Sequence, residues 1–132
     1  MTTITGEGIV VSKHTGGQWN FVPLTDWMNT TGIKKLRAAI EMRSDSGSAN
    51  IRPGYAATND KDIATASMTT NYITGTAVLS ADGIEYGGPW DDVTDDLDGK
   101  MYVRFGVWCS RDAGSTGIAG CFASIRIDYP EI

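Results

Sequence analysis

Between Lys100 and Tyr129 two alternations of apolar and polar residues run one after the other, and few folds accommodate them. In the first, Met101, Val103, Phe105, Val107 and Cys109 share one side. Tyr102, Arg104, Gly106, Trp108 and Ser110 share the other. In the second, Ala119, Cys121, Ala123, Ile125 and Ile127 form the apolar side. A period of two belongs to a strand with one buried face, because successive side chains point to opposite sides of a sheet. The connection, Arg-Asp-Ala-Gly-Ser-Thr-Gly, carries two glycines and an aspartate, as a hairpin loop does. The pattern predicts an antiparallel hairpin at the centre of a sheet.

That hairpin has two registers. Setting Cys109 opposite Cys121 pairs Val107 with Ala123, Phe105 with Ile125 and Val103 with Ile127, and makes a cross-strand disulfide geometrically conceivable. It also sets Arg104 opposite Arg126, which is unfavourable. Sliding by two residues sets Arg104 opposite Asp128 and separates the cysteines. Two buried thiols are the expectation, since cytosolic chains rarely keep disulfides; the disulfide is the alternative.

The rest of the chain repeats the theme of short apolar runs between turns. Ile9–Val11 reads as a strand after a polar start, residues 1–8, that is expected to be an N-terminal arm or a frayed end. Residues 13–17 read as a turn around Gly16-Gly17. Trp19, Phe21 and Val22 resume an extended segment that Pro23 ends or demotes to an edge. Residues 24–31 read as a loop, or one helical turn, holding Trp27. Leu36, Ala39 and Ile40 fit a helical face over residues 33–43, but Leu36, Ala38, Ile40 and Met42 fit a strand face with Lys35, Arg37, Glu41 and Arg43 opposite. The strand reading is preferred because it keeps the charges on one side. Residues 49–57 read as a strand at an edge or a bulge, because Pro53-Gly54 lies inside it. Thr- and Ala-rich extended segments follow over 63–70 and 72–80, then a short strand at 84–86 and an acidic loop over 90–99. At 132 residues this is one domain, residues 1–132, and an all-β one: a single-domain antiparallel β-sandwich, jelly-roll-like, of about eight short strands. A domain of this size buries roughly two-thirds of its unfolded surface, enough for a core without disulfides or metals.

Composition excludes several function classes. A net charge of −5, with the basic residues Lys34, Lys35, Arg37 and Arg43 clustered only locally, argues against nucleic-acid binding, which needs a basic stripe against phosphate. No run approaches a membrane span. The start, Met-Thr-Thr-Ile-Thr-Gly-Glu-Gly, has neither a basic nor an apolar signal region, so the chain is expected to be made and kept in the cytosol, or released from it by lysis.

Candidate chemistry is sparse. Asp91, Asp92, Asp95, Asp96 and Asp98 offer oxygen ligands for a hard cation. Counting from Asp92, however, the third position is Thr94 and the sixth Leu97, which is not an EF-hand, and a solvated loop is the plainer reading. His14, the one histidine, sits in a Gly-rich turn without a second imidazole or a nucleophile motif. A carboxylate pair for glycoside hydrolysis needs a cleft. The expectation is no enzyme, no cofactor and no resident metal. Trp19, Trp27, Trp90 and Trp108, with Arg104 and Arg126, are the candidate contact residues. Arg104 and Arg126 are placed on the face that carries Trp108. Trp108 is core if a second layer covers that face. If it does not, these residues either anchor a protein interface, where Trp, Tyr and Arg are enriched, or stack sugars as in a carbohydrate-binding module.

Three stretches carry a resemblance: Arg37-Ala-Ala-Ile-Glu-Met-Arg-Ser; Asn50-Ile-Arg-Pro-Gly-Tyr with Thr58-Asn-Asp; and Tyr102-Val-Arg-Phe-Gly-Val with the later Ser124-Ile-Arg-Ile-Asp. Over residues 33–128 the chain resembles small β-sandwich structural proteins of tailed bacteriophages, those that decorate capsids or build tail and neck parts. The resemblance implies a non-enzymatic virion component, a capsid decoration protein before a tail or neck component. It implies a homo-oligomer, with a trimer favoured, whose partners are other virion proteins such as the major capsid protein. It brings no catalytic residues. Trp27 and Trp90 are expected to flank the contact.

Overall fold

The computed structural model describes residues 1–12, 18–43, 49–73, 78–79, 83–85, 90–111 and 119–130. In chain order the strands are β1 (Thr2–Val11), β2 (Asn20–Pro23), β3 (Met28–Asn29), β4 (Lys35–Arg43), β5 (Ala49–Thr58), β6 (Thr69–Tyr72), β7 (Val78–Leu79), β8 (Gly83–Glu85), β9 (Asp91–Asp92), β10 (Tyr102–Arg111) and β11 (Gly120–Tyr129). A 3-10 turn, Thr65–Ser67, precedes β6, and a one-turn helix, α1 (Thr94–Leu97), precedes β10.

Two antiparallel sheets face each other. One has the order β1-β11-β4-β8, with β9 also on β4. The other has the order β2-β10-β5-β6, with β3 also on β10 and β7 also on β5. Taking β2 with β3, β6 with β7 and β8 with β9 as broken strands leaves eight positions along the chain. The sheets then read 1-8-3-6 and 2-7-4-5. This is a jelly roll, an all-β double sheet.

The core lies between the sheets. From one side come Leu36, Ala38, Ile40 and Met42 of β4, and Cys121, Ala123, Ile125 and Ile127 of β11. From the other come Val103, Phe105, Val107 and Cys109 of β10, set against Ala57, Tyr55, Pro53 and Ile51 of β5. Of residues 33–43, Lys35–Arg43 therefore takes the strand alternative, with the anticipated four apolar residues inward. The apolar faces of both C-terminal strands are as read, except that Met101 precedes β10 and is exposed.

The pairing differs from the sequence reading. β10 and β11 do not pair as a hairpin; each is an inner strand of its own sheet. Alternation specifies which face is buried, not which strand lies alongside. Two strands that face one another across a core carry the same pattern as two that pair. Arg104 accordingly lies opposite Ala56, and Arg126 lies between Thr5 and Ala39. Both cysteines are buried thiols, one in each sheet, and no disulfide joins them.

Two further corrections concern β1 and β5. Residues 2–11 are in register with β11 along their whole length, so residues 1–8 are not a detached arm. Their inward positions include Gly6 and Gly8, which let the strand lie against Leu24: a Cβ on Gly6 would collide with the Leu24 carbonyl. β5 is an interior strand despite Pro53. The Pro53 carbonyl accepts from Ile73 N–H (2.9 Å) on the β6 side. A strand residue's N and O point the same way, so the missing donor faces Ile73, just past β6, and the β10 ladder is intact.

Candidate interaction surface

On the outer face of the β10 sheet, Gly54 of β5 lies opposite Gly106 of β10, with Arg52 opposite Trp108 one step along the same face. The bare Gly54 backbone is covered by the Trp108 indole, whose Nε1 donates to the Asn71 carbonyl (3.1 Å). Phe21 (5.5 Å between centroids) and Tyr72 (5.3 Å) pack on Trp108, and Trp19 meets Tyr72 edge-on at 6.3 Å. The Arg52 guanidinium sits over Tyr72 at 3.8 Å and over Trp19 at 5.7 Å. Trp108 is thus half-buried, and among the described residues its cover is a layer of aromatic side chains supplied by β2, β6 and the residue before β2.

Further along the same face the Arg104 guanidinium lies over Trp27 at 4.5 Å. Trp27 is held there because the preceding Thr25 fills the break between β2 and β3. Phe105 N–H donates to Thr25 Oγ1 (2.9 Å), while Leu24 and Thr25 N–H donate to the Phe105 carbonyl (2.9 and 3.1 Å). Arg104 Nε is buried without a hydrogen-bond acceptor. Burial pulls the guanidinium below its ordinary pKa, and nearby Asp26 only partly offsets this.

The outer face of the β11 sheet is organised around Asp128. Its carboxylate accepts from the Thr3 hydroxyl (2.7 Å) and from Arg126 Nε and Nη2 (3.2 Å each), and Arg37 Nε lies at 3.5 Å. Burial pushes the Asp128 pKa up. The Thr3 hydroxyl, Arg126 and Arg37 together outweigh that and hold it below the ordinary value. Arg37 also lies over Trp90 at 4.6 Å, and Trp90 remains 38% exposed. Beside Arg126 the small side chains Thr5, Ala39 and Ser124 leave a shallow depression of about 530 Å³, rimmed by Glu7 and Glu41.

The structure therefore divides the candidate residues. Trp19, Trp27, Trp108 and Arg104 belong to the outer side of the β10 sheet. Arg126 and Trp90 belong to the outer side of the β11 sheet. Arg126 does not share the Trp108 face, because that placement followed from the hairpin. Arg37, Arg52, Phe21 and Tyr72, which complete the aromatic and cationic contacts, carried no distinguishing pattern in the sequence. Each pairs with a residue distant in the chain.

The acidic segment is structured and spread out. Asp91 and Asp92 lie in β9, where the Asp92 carboxylate accepts from Thr94 N–H (3.0 Å); this hydrogen bond lowers its pKa. Asp96 accepts from the Tyr55 hydroxyl (2.7 Å) and from Asn71 Nδ2 (3.2 Å). Among the described residues no group of three or more His, Cys, Asp or Glu is placed to hold a metal ion. His14 lies outside the described residues. Among the described residues no helix is long and apolar enough to cross a membrane.

No protein-family model matches the sequence, and no curated protein matches it either. The fold is similar to that in the structure of the infectious bursal disease virus Gt strain (TM-score 0.50, 10% identity, covering 97% of this chain and 33% of that one). It is similar to the Gx strain structure (TM-score 0.50, 9% identity, 97% and 32%). It is also similar to T=1 particles derived from infectious bursal virus (TM-score 0.50, 11% identity, 97% and 31%). The chain spans about a third of the length of the chains it resembles. At such identity the likeness is one of fold.

Proposed function

We propose that this chain is a non-enzymatic structural protein of a virus particle and, in finer form, a capsid decoration protein of a tailed bacteriophage. The observation that carries the reading is the eight-position jelly roll, which resembles viral particle structures over 97% of the chain. The disposition of its polar surface agrees with this. The candidate residues form extended faces of Trp, Tyr and Arg instead of a cleft with convergent acids and bases, and such residues are those enriched at protein contacts. Its partners are other virion proteins, and its place is the virion. Fold alone is a weak warrant for function, so the surface has to support the reading too. A sugar-binding module is less well supported. Trp27 and Trp90 belong to opposite outer faces, and an arginine already covers one side of each ring.

Density-gradient fractionation of a lysate from the host carrying this gene tests the proposal. The chain should band with assembled particles, with antibody label on heads for a decoration protein and on tails for a tail or neck component. A chain that stays wholly in the soluble fraction overturns it.

A further inference from the structure

The outer edge of β1 offers a second kind of contact. Ser12, one residue beyond β1, donates its N–H to the Ala119 carbonyl (2.8 Å), so even-numbered positions direct their backbone groups toward β11. Because that direction alternates along a strand, the odd-numbered residues of β1 direct theirs away from the sheet. The Val11 carbonyl accordingly accepts from Asn20 Nδ2 (3.1 Å). The backbone groups of Thr3, Thr5, Glu7 and Ile9 have no partner among the described residues.

Natural edge strands are blunted by short length, proline, lysine or a covering element. This one has ten residues, no proline or lysine, and one charge, Glu7; Ile9 is 78% exposed. Among the described residues no strand pairs with this edge, and an open groove of about 680 Å³ runs beside it, between β1 and the segment 23–28, lined by Ile4, Gly8, Leu24, Trp27, Met28 and Arg104 among others.

We propose that this edge is a self-association seam, at which a second copy of the chain adds its own β1 antiparallel about a two-fold axis at Gly6. The register follows from the unpartnered groups. Centred on Gly6, Thr3 pairs with Ile9 of the other copy and Thr5 with its Glu7. All four open residues of each copy are then used, in about eight backbone hydrogen bonds. Centring on Glu7 sets two carboxylates face to face, which is unfavourable. Centring on Gly8 leaves Thr3 out and meets Val11, whose carbonyl is already taken. The groove leaves room beside the strand. The inference stands on strand geometry and is independent of the virion reading; a two-fold seam yields dimers, where the resemblance favours a trimer.

Sedimentation velocity of the full chain over a wide concentration series tests it, with three variants at the exposed Thr5 and thermal melts as the check on folding. The wild type should show a concentration-dependent dimer. Thr5→Pro removes a donor from the free edge only and should abolish that dimer. Thr5→Glu places a carboxylate opposite Glu7 of the other copy, and should weaken dimerisation about 5-fold at low salt. Thr5→Lys should tighten it by a similar factor and lose the gain at high salt. A wild type that stays monomeric throughout overturns the proposal. So does a dimer indifferent to all three substitutions, which would locate self-association elsewhere.

Discussion

The Trp108 indole occupies the space where a Cβ on Gly54 would lie, so the two residues are a matched pair across neighbouring strands. Gly54→Ala forces the ring off its seat and off the Asn71 carbonyl. It should destabilise the fold by about 1–3 kcal/mol, the usual cost of overpacking. Urea unfolding followed by tryptophan fluorescence checks this, with a red-shifted native spectrum expected as Trp108 becomes wetter.

Tyr55 is fully buried in the core, yet its hydroxyl reaches Asp96 at the start of α1. Burial first, and the Asp96 carboxylate second, raise its pKa far above the ordinary 10.0. The folded state keeps this phenol neutral while the unfolded chain ionises it. The associated stability is present below about pH 10 and is lost as pH rises beyond it. Tyr55→Phe should cost about 1 kcal/mol at neutral pH, the value of one hydrogen bond. It should also make stability less sensitive to pH on the alkaline side, as read by melting temperature across that range.

Asp128 has the opposite linkage. Its folded pKa is depressed below 3.8, so its contribution is present above that value and disappears as pH falls through the folded value. The arginines it meets are well exposed, which limits the worth of the pairs to about 0.5–1 kcal/mol. Asp128→Asn should lose that amount at neutral pH and flatten the acid limb of the stability profile in urea titrations.

Trp90 lies on the outer side of the β11 sheet with the Arg37 guanidinium over its ring. Trp90→Ala should shift folding stability by no more than about 0.5 kcal/mol, as for most exposed substitutions. If the side chain anchors a virion contact, the same change should cost about 2 kcal/mol of assembly. Particle incorporation beside a melting curve separates the two effects.

The sequence carries the faces of this fold more fully than its neighbours. Leu36, Ala38, Ile40 and Met42 identify β4 as a strand because charges alternate cleanly with them. The same regularity in β10 and β11 invites a hairpin, since alternation is blind to whether a strand pairs or faces. Pro53 suggests an edge; only the structure reveals that its missing donor faces Ile73 and not β10, which is how an interior strand tolerates it. The polar start of β1 looks like an arm because Gly6 and Gly8 bury backbone against Leu24 in place of apolar side chains. Of the candidate surface, strand phase places Arg104 on the face of Trp108, as the structure does, whereas nothing in the sequence assigns Trp19 or Trp27 to that face. Arg126 is misplaced by the sequence, because its face depended on a pairing that sequence phase does not determine.

The most direct test of the central claim is the copy number of this chain in gradient-purified particles, measured by quantitative mass spectrometry against the major shell protein. A structural role predicts a fixed, reproducible ratio to the shell protein that survives repeated banding. Trace amounts that decline with each round of purification would contradict it.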